Sequence, residues 1–263
     1  MIVFTSTYFD PNGRLFTPIQ QALPVLTAVF DAITISVSEK SYPQTAELLE
    51  QHGVHVIVRE ERPREEDELP PVGFYRRTAV SHALQAGATH IMLCDLDRAA
   101  HWANYFPDEL ERVVQRLPEK DFWVIGRTER AFYSHPPSMV KTEGIINEVF
   151  AKVSGHPWDV VAATRGMSTQ AAQFIVETST DDSFGNDASW PLLILGNGRL
   201  SIDYLPIEGM EFETADAFPD EVEQAGGVEA WIAQLDHHPE QWIYRLQAAT
   251  VEVNSILSAL PDK

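Results

Sequence analysis

The sequence is short of cysteine, of basic residues and of long apolar runs. Its 263 residues contain one cysteine, Cys94, so no disulfide can form within the chain and we expect a reducing compartment. No apolar run approaches the roughly 20 residues that span a bilayer. The first residues, MIVFTSTYFDPNG, also lack the basic segment of a secretory signal. The sequence therefore predicts a cytoplasmic protein without a membrane span.

Basic residues are too few for a nucleic-acid-binding surface. There are 19 Lys and Arg against 39 Asp and Glu, a net charge of −20, whereas proteins that follow phosphate backbones need clustered cations. We therefore expect no nucleic acid partner. Several of the acidic residues lie in residues 60–68, and the composition of this stretch predicts a solvated surface loop. A mobile flap beside a ligand site is the alternative for this stretch.

Internal repeats are absent, and strand-like and helix-like patterns alternate along the first half of the chain. The predicted strands cover 2–8, 33–37, 54–58, 90–94 and 121–126, and the predicted helices cover 17–30, 41–52, 74–86 and 106–117. Such alternation is typical of βαβ units. It predicts an α/β fold with a mainly parallel central sheet and helices on both faces.

The second half is less regular. Helices are predicted over 141–154 and 168–177, and a strand over 200–205. An amphipathic C-terminal helix is predicted from apolar residues spaced by three and four, namely Trp242, Leu246, Ala249, Val253, Ile256 and Leu260. We expect this helix to pack on the sheet, and an interface in a homo-oligomer is the alternative.

The strongest chemical signal is a pair of carboxylates after a buried strand. Residues 91–97 read IMLCDLD, so an apolar strand delivers Asp95 and Asp97 to the edge of the sheet. In open parallel sheets, ligands bind beyond the carboxyl ends of the strands. Two carboxylates there can hold Mg²⁺ or Mn²⁺ while the metal bridges a diphosphate. The alternative is that both residues only cap the following turn.

The residues before this pair add a family resemblance. Gly73, two basic residues and a helix ending in Ala86-Gly87 lead into the Asp95 strand. In this arrangement the chain resembles family-2-like glycosyltransferases of the GT-A fold. An acidic residue after the second strand, Glu39, matches as well. In the second half, residues 180–191 (TDDSFGNDASWP) lie where these enzymes place an acidic acceptor-side motif.

The resemblance implies a single GT-A-like, Rossmann-like domain over residues 1–263. Residues 1–127 would form the nucleotide-binding half, 128–218 the acceptor-side half and 219–263 the C-terminal helices. The implied activity is metal-dependent transfer of a sugar from a UDP- or GDP-sugar to a hydroxyl acceptor, with Mn²⁺ or Mg²⁺ as cofactor.

The resemblance also implies roles for individual residues. Thr5, Thr7, Tyr8 and Glu39 would line the nucleoside pocket, and either Arg76 or Arg77 would face the diphosphate or the sugar. Asp95 would approach the ribose, the sugar or the metal, and Asp97 the metal. Asp187 would be the catalytic base that activates the acceptor hydroxyl, with Asp182 and Asp181 as rivals.

Two departures from the family pattern leave assignments open. The acidic motif is Gly-Asn-Asp rather than a Glu-Asp pair, and no basic C-terminal diphosphate motif is present. The further metal ligand is therefore unassigned, with four histidines as candidates: His135, His156, His237 and His238.

Two other functions compete with the transferase. A strand ending in D-x-D also resembles haloacid-dehalogenase-type phosphatases, where the first Asp is the nucleophile. In that family the nucleophile lies near the N-terminus, whereas Asp95 follows three strand-helix units. A catalytically silent protein that binds a sugar nucleotide or a glycan on the same fold is the second alternative, because fold does not fix function.

Overall fold

Strands and helices alternate along the chain in the computed structural model, which describes residues 1–65 and 68–259. The strands are β1 (Ile2–Tyr8), β2 (Ala32–Ser38), β3 (His55–Arg59), β4 (His90–Leu93), β5 (Phe122–Arg127), β6 (Thr164–Ser168) and β7 (Ile202–Ile207). The first helices are α1 (Phe16–Val29), α2 (Pro43–Gln51), α3 (Val72–Gln85), α4 (Leu96–Tyr105), α5 (Pro107–Arg116) and α6 (Glu129–Tyr133). They are followed by α7 (Pro137–Ser154), α8 (Thr169–Thr178), α9 (Asn186–Asn197), α10 (Pro219–Ala225), α11 (Val228–Asp236) and α12 (Pro239–Ser258). Short 3-10 helices cover Leu117–Glu119 and Glu213–Ala217.

The strands form one sheet in the order β3-β2-β1-β4-β6-β5-β7. β6 is antiparallel to β4 and β5, and the other pairs are parallel. The predicted α/β fold with a mainly parallel sheet is confirmed. Because β6 runs backwards, its first residues lie beside the last residues of β4, with Leu93 opposite Arg165. Both strands therefore deliver side chains to the same edge.

Alternate residues of the central strands enter two apolar cores, one on each face of the sheet. Phe4, Met92 and Trp123 pack with α1, α2, α4 and α5 on one face. Val3, Ile91 and Val124 pack with α3, α7, α8, α9 and α12 on the other. This alternation follows from the two-residue period of a strand. Helices cover both faces, as predicted.

The sequence analysis missed two elements near the sheet edge. β6 contains Arg165 and Gly166 and so lacks an apolar pattern. Position 166 has no room for a side chain, because a Cβ there would overlap Leu117 Cδ2 and lie 3.2 Å from Trp123 Cβ. α4 was treated as a turn because its first turn, with Asp97 and Arg98, is polar, yet Ala99 and Trp102 bury its inner face.

The C-terminal helix packs on the fold, but against helices that cover the sheet rather than on the sheet itself as predicted. α12 contacts α7 and α9, and it buries Ala249 and Ile256. Leu260, the last residue of the predicted apolar stripe, lies outside the described residues, as do Glu66 and Asp67 of the acidic stretch. No helix in residues 1–65 and 68–259 combines the length and apolarity that crossing a bilayer requires.

Candidate active site

Asp95 and Asp97 lie where β4 passes directly into α4. β4 ends at Leu93, Asp95 is the residue that precedes α4, and Asp97 belongs to the first turn of the helix. The carboxyl ends of β1 and β2 lie at the same edge of the sheet. The start of a helix carries partial positive charge and free N–H groups, so this edge favours anionic groups.

Two cavities meet at these carboxylates. The β1 cavity, about 220 Å³, is bordered by Thr7 and Tyr8 at the end of β1. The α12 cavity, about 240 Å³, is bordered by residues of α7, α9 and α12. The two cavities share four lining residues, namely Arg76, Asp95, Asp97 and Phe184. The predicted DxD pair therefore lies at the boundary between two spaces for ligands.

Arg76, on α3, connects Asp95 to Asp187. Its Nη2 donates to Asp95 Oδ2 at 2.7 Å and its Nε to Asp95 Oδ1 at 3.3 Å. Its Nη1 donates to Asp187 Oδ1 at 2.7 Å. Arg76 is only 4% exposed, so water competes little with these charge-assisted bonds. The sequence left Arg76 and Arg77 as equal candidates, and the structure brings Arg76 to Asp95.

Arg77 and Asp182 lie together elsewhere. Arg77 pairs with the Asp182 carboxylate, which also accepts a bond from Arg62 Nη1 at 2.9 Å. Burial alone would raise the pKa of Asp182, but these two arginines lower it below its ordinary value. Neither Arg77 nor Asp182 lines the β1 or the α12 cavity, so the structure does not bring them to the DxD pair.

Asp187 is enclosed in the wall of the α12 cavity. It is 5% exposed, and burial raises its pKa to about 6, against the influence of Arg76 and Arg165. Arg165 Nη2 donates to the Asp187 carbonyl oxygen at 2.6 Å and fixes the start of α9. The alternative base, Asp181, bonds to neighbouring serines: its carboxylate accepts hydrogen bonds from Ser183 Oγ at 2.6 Å and from Ser189 Oγ at 3.1 Å.

The four residues predicted for the nucleoside pocket separate into two groups. Thr7 and Tyr8 line the β1 cavity. Thr5 is fully buried, its hydroxyl donates to the Ala79 carbonyl oxygen at 3.0 Å, and it lines neither cavity. Glu39 is exposed after β2 and lines neither cavity.

The Asp97 carboxyl group has no hydrogen bond from a Lys, Arg or His side chain within residues 1–65 and 68–259. Its Oδ1 accepts from the Arg98 backbone N–H at 2.8 Å. Enclosure in the protein raises the pKa of Asp97 to about 7, and the neighbouring carboxylates of Glu213 and Asp95 add to this. Burial would also raise the pKa of Asp95, but Arg76 and Arg98 lower it.

These residues fit a divalent cation shared with a ligand. Glu213 lines the α12 cavity beside Asp97, and its Oε2 is buried without a hydrogen-bond partner in the described chain. In the same part of the chain, no group of three or more His, Cys, Asp or Glu side chains is placed so that it could hold a metal ion by itself. Mg²⁺ in phosphate-binding sites takes only one or two carboxylates and completes its shell with phosphate oxygens and water. Asp97 and Asp95 suit that mode of binding.

The four histidine candidates do not line either cavity. His135 comes nearest, with Nε2 at 3.9 Å from Glu213 Oε2, and burial holds its pKa well below the ordinary value. His156 stacks on Trp158. His237 and His238 are exposed before α12.

A strained backbone position lies in the cavity wall. Ala163, which precedes β6, has φ of 60° and is the sole non-glycine residue with positive φ in residues 1–65 and 68–259. It lines the α12 cavity. Such strain concentrates at functional sites, where the surrounding structure maintains it.

The fold is that of nucleotide-diphospho-sugar transferases, the GT-A class. Comparisons with protein-family models and with curated proteins found no match. Among solved structures, the chain is similar to glucosyl-3-phosphoglycerate synthase of Mycobacterium tuberculosis, with a TM-score of 0.55, 11% identity, and coverage of 100% of this chain and 82% of that one.

Another structure of that M. tuberculosis enzyme contains Mn²⁺, UDP and glucosyl-3-phosphoglycerate. The chain matches it with a TM-score of 0.50 and 10% identity over 79% of this chain and 70% of that chain. A third contains Mg²⁺ and UDP, with a TM-score of 0.50, 11% identity, and coverage of 79% and 69%. At this identity the likeness establishes the fold alone.

The sequence analysis missed two acidic residues of the site. Glu213 follows β7, and the rule that ligands bind beyond strand ends would have found it once that strand was extended to Ile207. Glu252 lies in the middle of α12 and lines the α12 cavity. Its neighbours along the helix gave no signal, because the cavity forms only when α12 packs against α7 and α9.

Proposed function

We propose that this protein transfers a glycosyl group from a nucleoside diphosphate sugar to a hydroxyl acceptor, with Mn²⁺ or Mg²⁺ as cofactor. The observation that carries the proposal is the position of Asp95 and Asp97 at the boundary of two cavities. A transferase needs one space for the donor and one for the acceptor, with the leaving group between them. The fold shared with glucosyl-3-phosphoglycerate synthase, which has been crystallised with UDP and Mn²⁺, supports the same activity.

The donor occupies the β1 cavity in this proposal. Thr7 and Tyr8, which line this cavity, would border the nucleoside, and Asp97, with Asp95, would hold the metal ion. The bound ion would neutralise the charge that develops on the diphosphate leaving group. Arg76 holds Asp95 in place through two hydrogen bonds.

The acceptor occupies the α12 cavity, where Asp187 is the proposed base. Asp187 accepts the proton of the acceptor hydroxyl, and the oxygen forms a bond with the anomeric carbon of the donor. The bond between that carbon and the diphosphate oxygen breaks, and the nucleoside diphosphate leaves. Burial raises the pKa of Asp187 to about 6, which suits a base that works near neutral pH.

A silent binding protein on the same fold is the second candidate. Asp95 gives both of its oxygens to Arg76, and these bonds compete with metal binding at Asp95, as expected of a site that binds its ligand without metal-assisted chemistry. The two candidates differ in turnover. A transferase slowly hydrolyses its donor when no acceptor is present, and a binding protein does not.

Thermal unfolding in the presence of nucleotides tests the proposal. The screen contains UDP, GDP and their sugars, each with and without Mn²⁺. A ligand that binds only the folded state raises the melting temperature by mass action, so at least one nucleotide is expected to do so, and more strongly with Mn²⁺. Hydrolysis of the sugar nucleotide that binds is then measured by release of the nucleoside diphosphate. A screen in which no nucleotide stabilises the protein contradicts the proposed function.

A further inference from the structure

Glu252 is a buried carboxyl group with an unused oxygen in the wall of the α12 cavity. It lies on α12 and is 3% exposed. Its Oε2 is shielded from solvent and has no hydrogen-bond partner in residues 1–65 and 68–259. Buried carboxyl groups are normally paired or hydrogen-bonded, because an unpartnered one loses its interactions with water and gains nothing in return.

The acidic neighbours of Glu252 are already paired with arginines. Asp187 on α9 is bonded by Arg76 at 2.7 Å, and Glu143 on α7 is bonded by Arg127 at 2.7 Å. All three carboxyl groups line one cavity, from three helices that pack together. Glu252 is therefore the one of these three carboxyl groups that no arginine bonds within residues 1–65 and 68–259.

The electrostatic setting favours a neutral carboxyl group at Glu252. Burial raises its pKa well above the ordinary value, and the carboxylates of Asp187 and Glu143 add to the effect. A neutral carboxyl group both donates and accepts hydrogen bonds, as does a hydroxyl group. A neutral Glu252 carboxyl group can therefore both donate a hydrogen bond to a ligand hydroxyl group and accept one from it.

The cavity has room for a small occupant. Its volume of about 240 Å³ is enough for a monosaccharide or a smaller polyol. The lining includes Thr142 and the acidic residues Glu143, Asp187 and Glu252. These groups suit a compound with several hydroxyl groups.

We propose that Glu252 is a specificity-determining residue of the acceptor site, and that its carboxyl group hydrogen-bonds a hydroxyl group of a small polyhydroxy acceptor. The term acceptor rests on the proposed transferase function. The binding of a small polyol at Glu252 does not depend on turnover, so it is tested separately.

The test uses Glu252→Met, which keeps the length and bulk of the side chain and removes its hydrogen bonds. Glu252→Gln keeps both hydrogen-bonding capacities. The matched control is Glu240→Met, at an exposed position in the first turn of the same helix. Binding of glycerol, myo-inositol and D-glucose is measured by ligand-observed NMR titration of the full chain, with and without UDP and Mn²⁺.

We expect wild type to bind at least one of the three polyols saturably. Glu252→Met should weaken that binding at least tenfold, while Glu252→Gln stays within threefold and Glu240→Met matches wild type. UDP binding, measured by calorimetry, should be the same in all four proteins. Thermal melts show that each variant is folded, and we expect Glu252→Met to be no less stable than wild type.

The outcomes separate this inference from the proposed function. Failure of wild type to bind any of the three polyols, or equal binding by wild type and Glu252→Met, overturns the inference even when UDP binds. Loss of polyol binding in Glu252→Met together with no binding of UDP supports the polyol site and contradicts the transferase.

Discussion

A single buried arginine holds the proposed catalytic groups in place. Arg76 donates to Asp95 through Nε and Nη2 and to Asp187 through Nη1. The planar guanidinium group makes these bonds in fixed directions, which a lysine ammonium group cannot do. The distance between the metal-side carboxylate and the proposed base is therefore set by one side chain of α3.

Substitution of Asp97 tests the proposed metal site. Asp97→Asn removes the negative charge but keeps the size of the side chain. Loss of a residue that only supports a metal ligand already costs about 10–100-fold in affinity, so we expect Mn²⁺-dependent UDP binding to weaken by at least about 100-fold. The fold should be unaffected because Asp97 bonds only to the adjacent Arg98 backbone.

Isothermal titration with UDP, with and without Mn²⁺, measures this effect. Asp182→Asn serves as the control, since Asp182 lies outside both cavities. Undiminished Mn²⁺-dependent affinity in a folded Asp97→Asn protein removes Asp97 from the metal site.

Substitution of Asp187 tests the proposed base. Asp187→Asn can still accept a hydrogen bond from Arg76 but cannot take a proton from the acceptor. General bases contribute about 10²–10⁴-fold to rates, so we expect glycosyl transfer to fall by that factor while the sugar nucleotide still binds. Transfer rates and donor affinity are measured on the same preparation. Equal transfer rates in the variant and in wild type exclude Asp187 as the base.

At the scale of the elements, α3 is positioned by close contact with the loop of residues 181–183. A Cβ at Gly73 would lie 2.5 Å from the Asp181 carbonyl oxygen and 2.6 Å from that of Ser183. Both of these oxygens belong to the backbone, so they could move away from an added Cβ only if the loop itself shifted. The glycine lets α3 approach this loop, and the approach brings Arg76 between Asp95 and Asp187.

Gly73→Ala should therefore be destabilising. We expect a loss of about 1–3 kcal/mol in the free energy of unfolding, the usual cost of overpacking. Gly144→Ala on α7 is the matched control, because nothing lies within 4 Å of the added Cβ. That change should stabilise the helix by about 0.5–1 kcal/mol. Urea denaturation measures both, and equal stabilities of the two variants contradict the account of α3.

The strands were predictable and some of the elements between them were not. Runs of apolar and β-branched residues located β1, β2 and β4, since each of these strands contributes side chains to both cores. β6 could not be found this way. Arg165 is buried within it because carbonyl oxygens of Thr164, Val160 and Asp187 accept its hydrogen bonds, and tertiary contacts of this kind leave no periodic signal.

The site was predictable where it follows strand ends and unpredictable where helices contribute to it. The DxD pair follows β4 directly, so its place at the sheet edge could be inferred from the sequence. The choice of Arg76 over Arg77 depends on how α3 is rotated, and one residue along a helix turns a side chain by about 100°. Glu252 needed the packing of α12 and was therefore not found.

At the scale of the whole molecule, a buried ion-pair network links the end of β5 to α7 and to the loop before β6. Arg127 donates to Asp159 at 2.7 and 2.9 Å and to Glu143 at 2.7 Å. Burial alone would raise the pKa of Asp159, but Arg127 and Asn147 lower it to about 2. Asp159 is thus charged in the folded protein at pH values where it is protonated in the unfolded chain.

This network predicts a specific acid dependence of stability. A depressed folded-state pKa stabilises the protein above the unfolded pKa of about 4, and this contribution is lost as the pH falls from about 4 through about 2. The shift of Asp159 corresponds to about 2 kcal/mol at neutral pH. In Asp159→Asn, unfolding free energies measured by denaturant titration between pH 2 and pH 7 should lack this component. An unchanged acid dependence in the variant contradicts the assignment.

The central claim is that Asp97 and Asp95 hold a divalent cation against the diphosphate of a nucleotide, between two cavities. A crystal structure of the protein with UDP and Mn²⁺, with the ion located by its anomalous scattering, tests this claim most directly. The account predicts Mn²⁺ bonded to the Asp97 carboxylate and to phosphate oxygens, with the uridine in the β1 cavity beside Thr7 and Tyr8. An ion bound away from Asp97, or a nucleotide outside the β1 cavity, would contradict it.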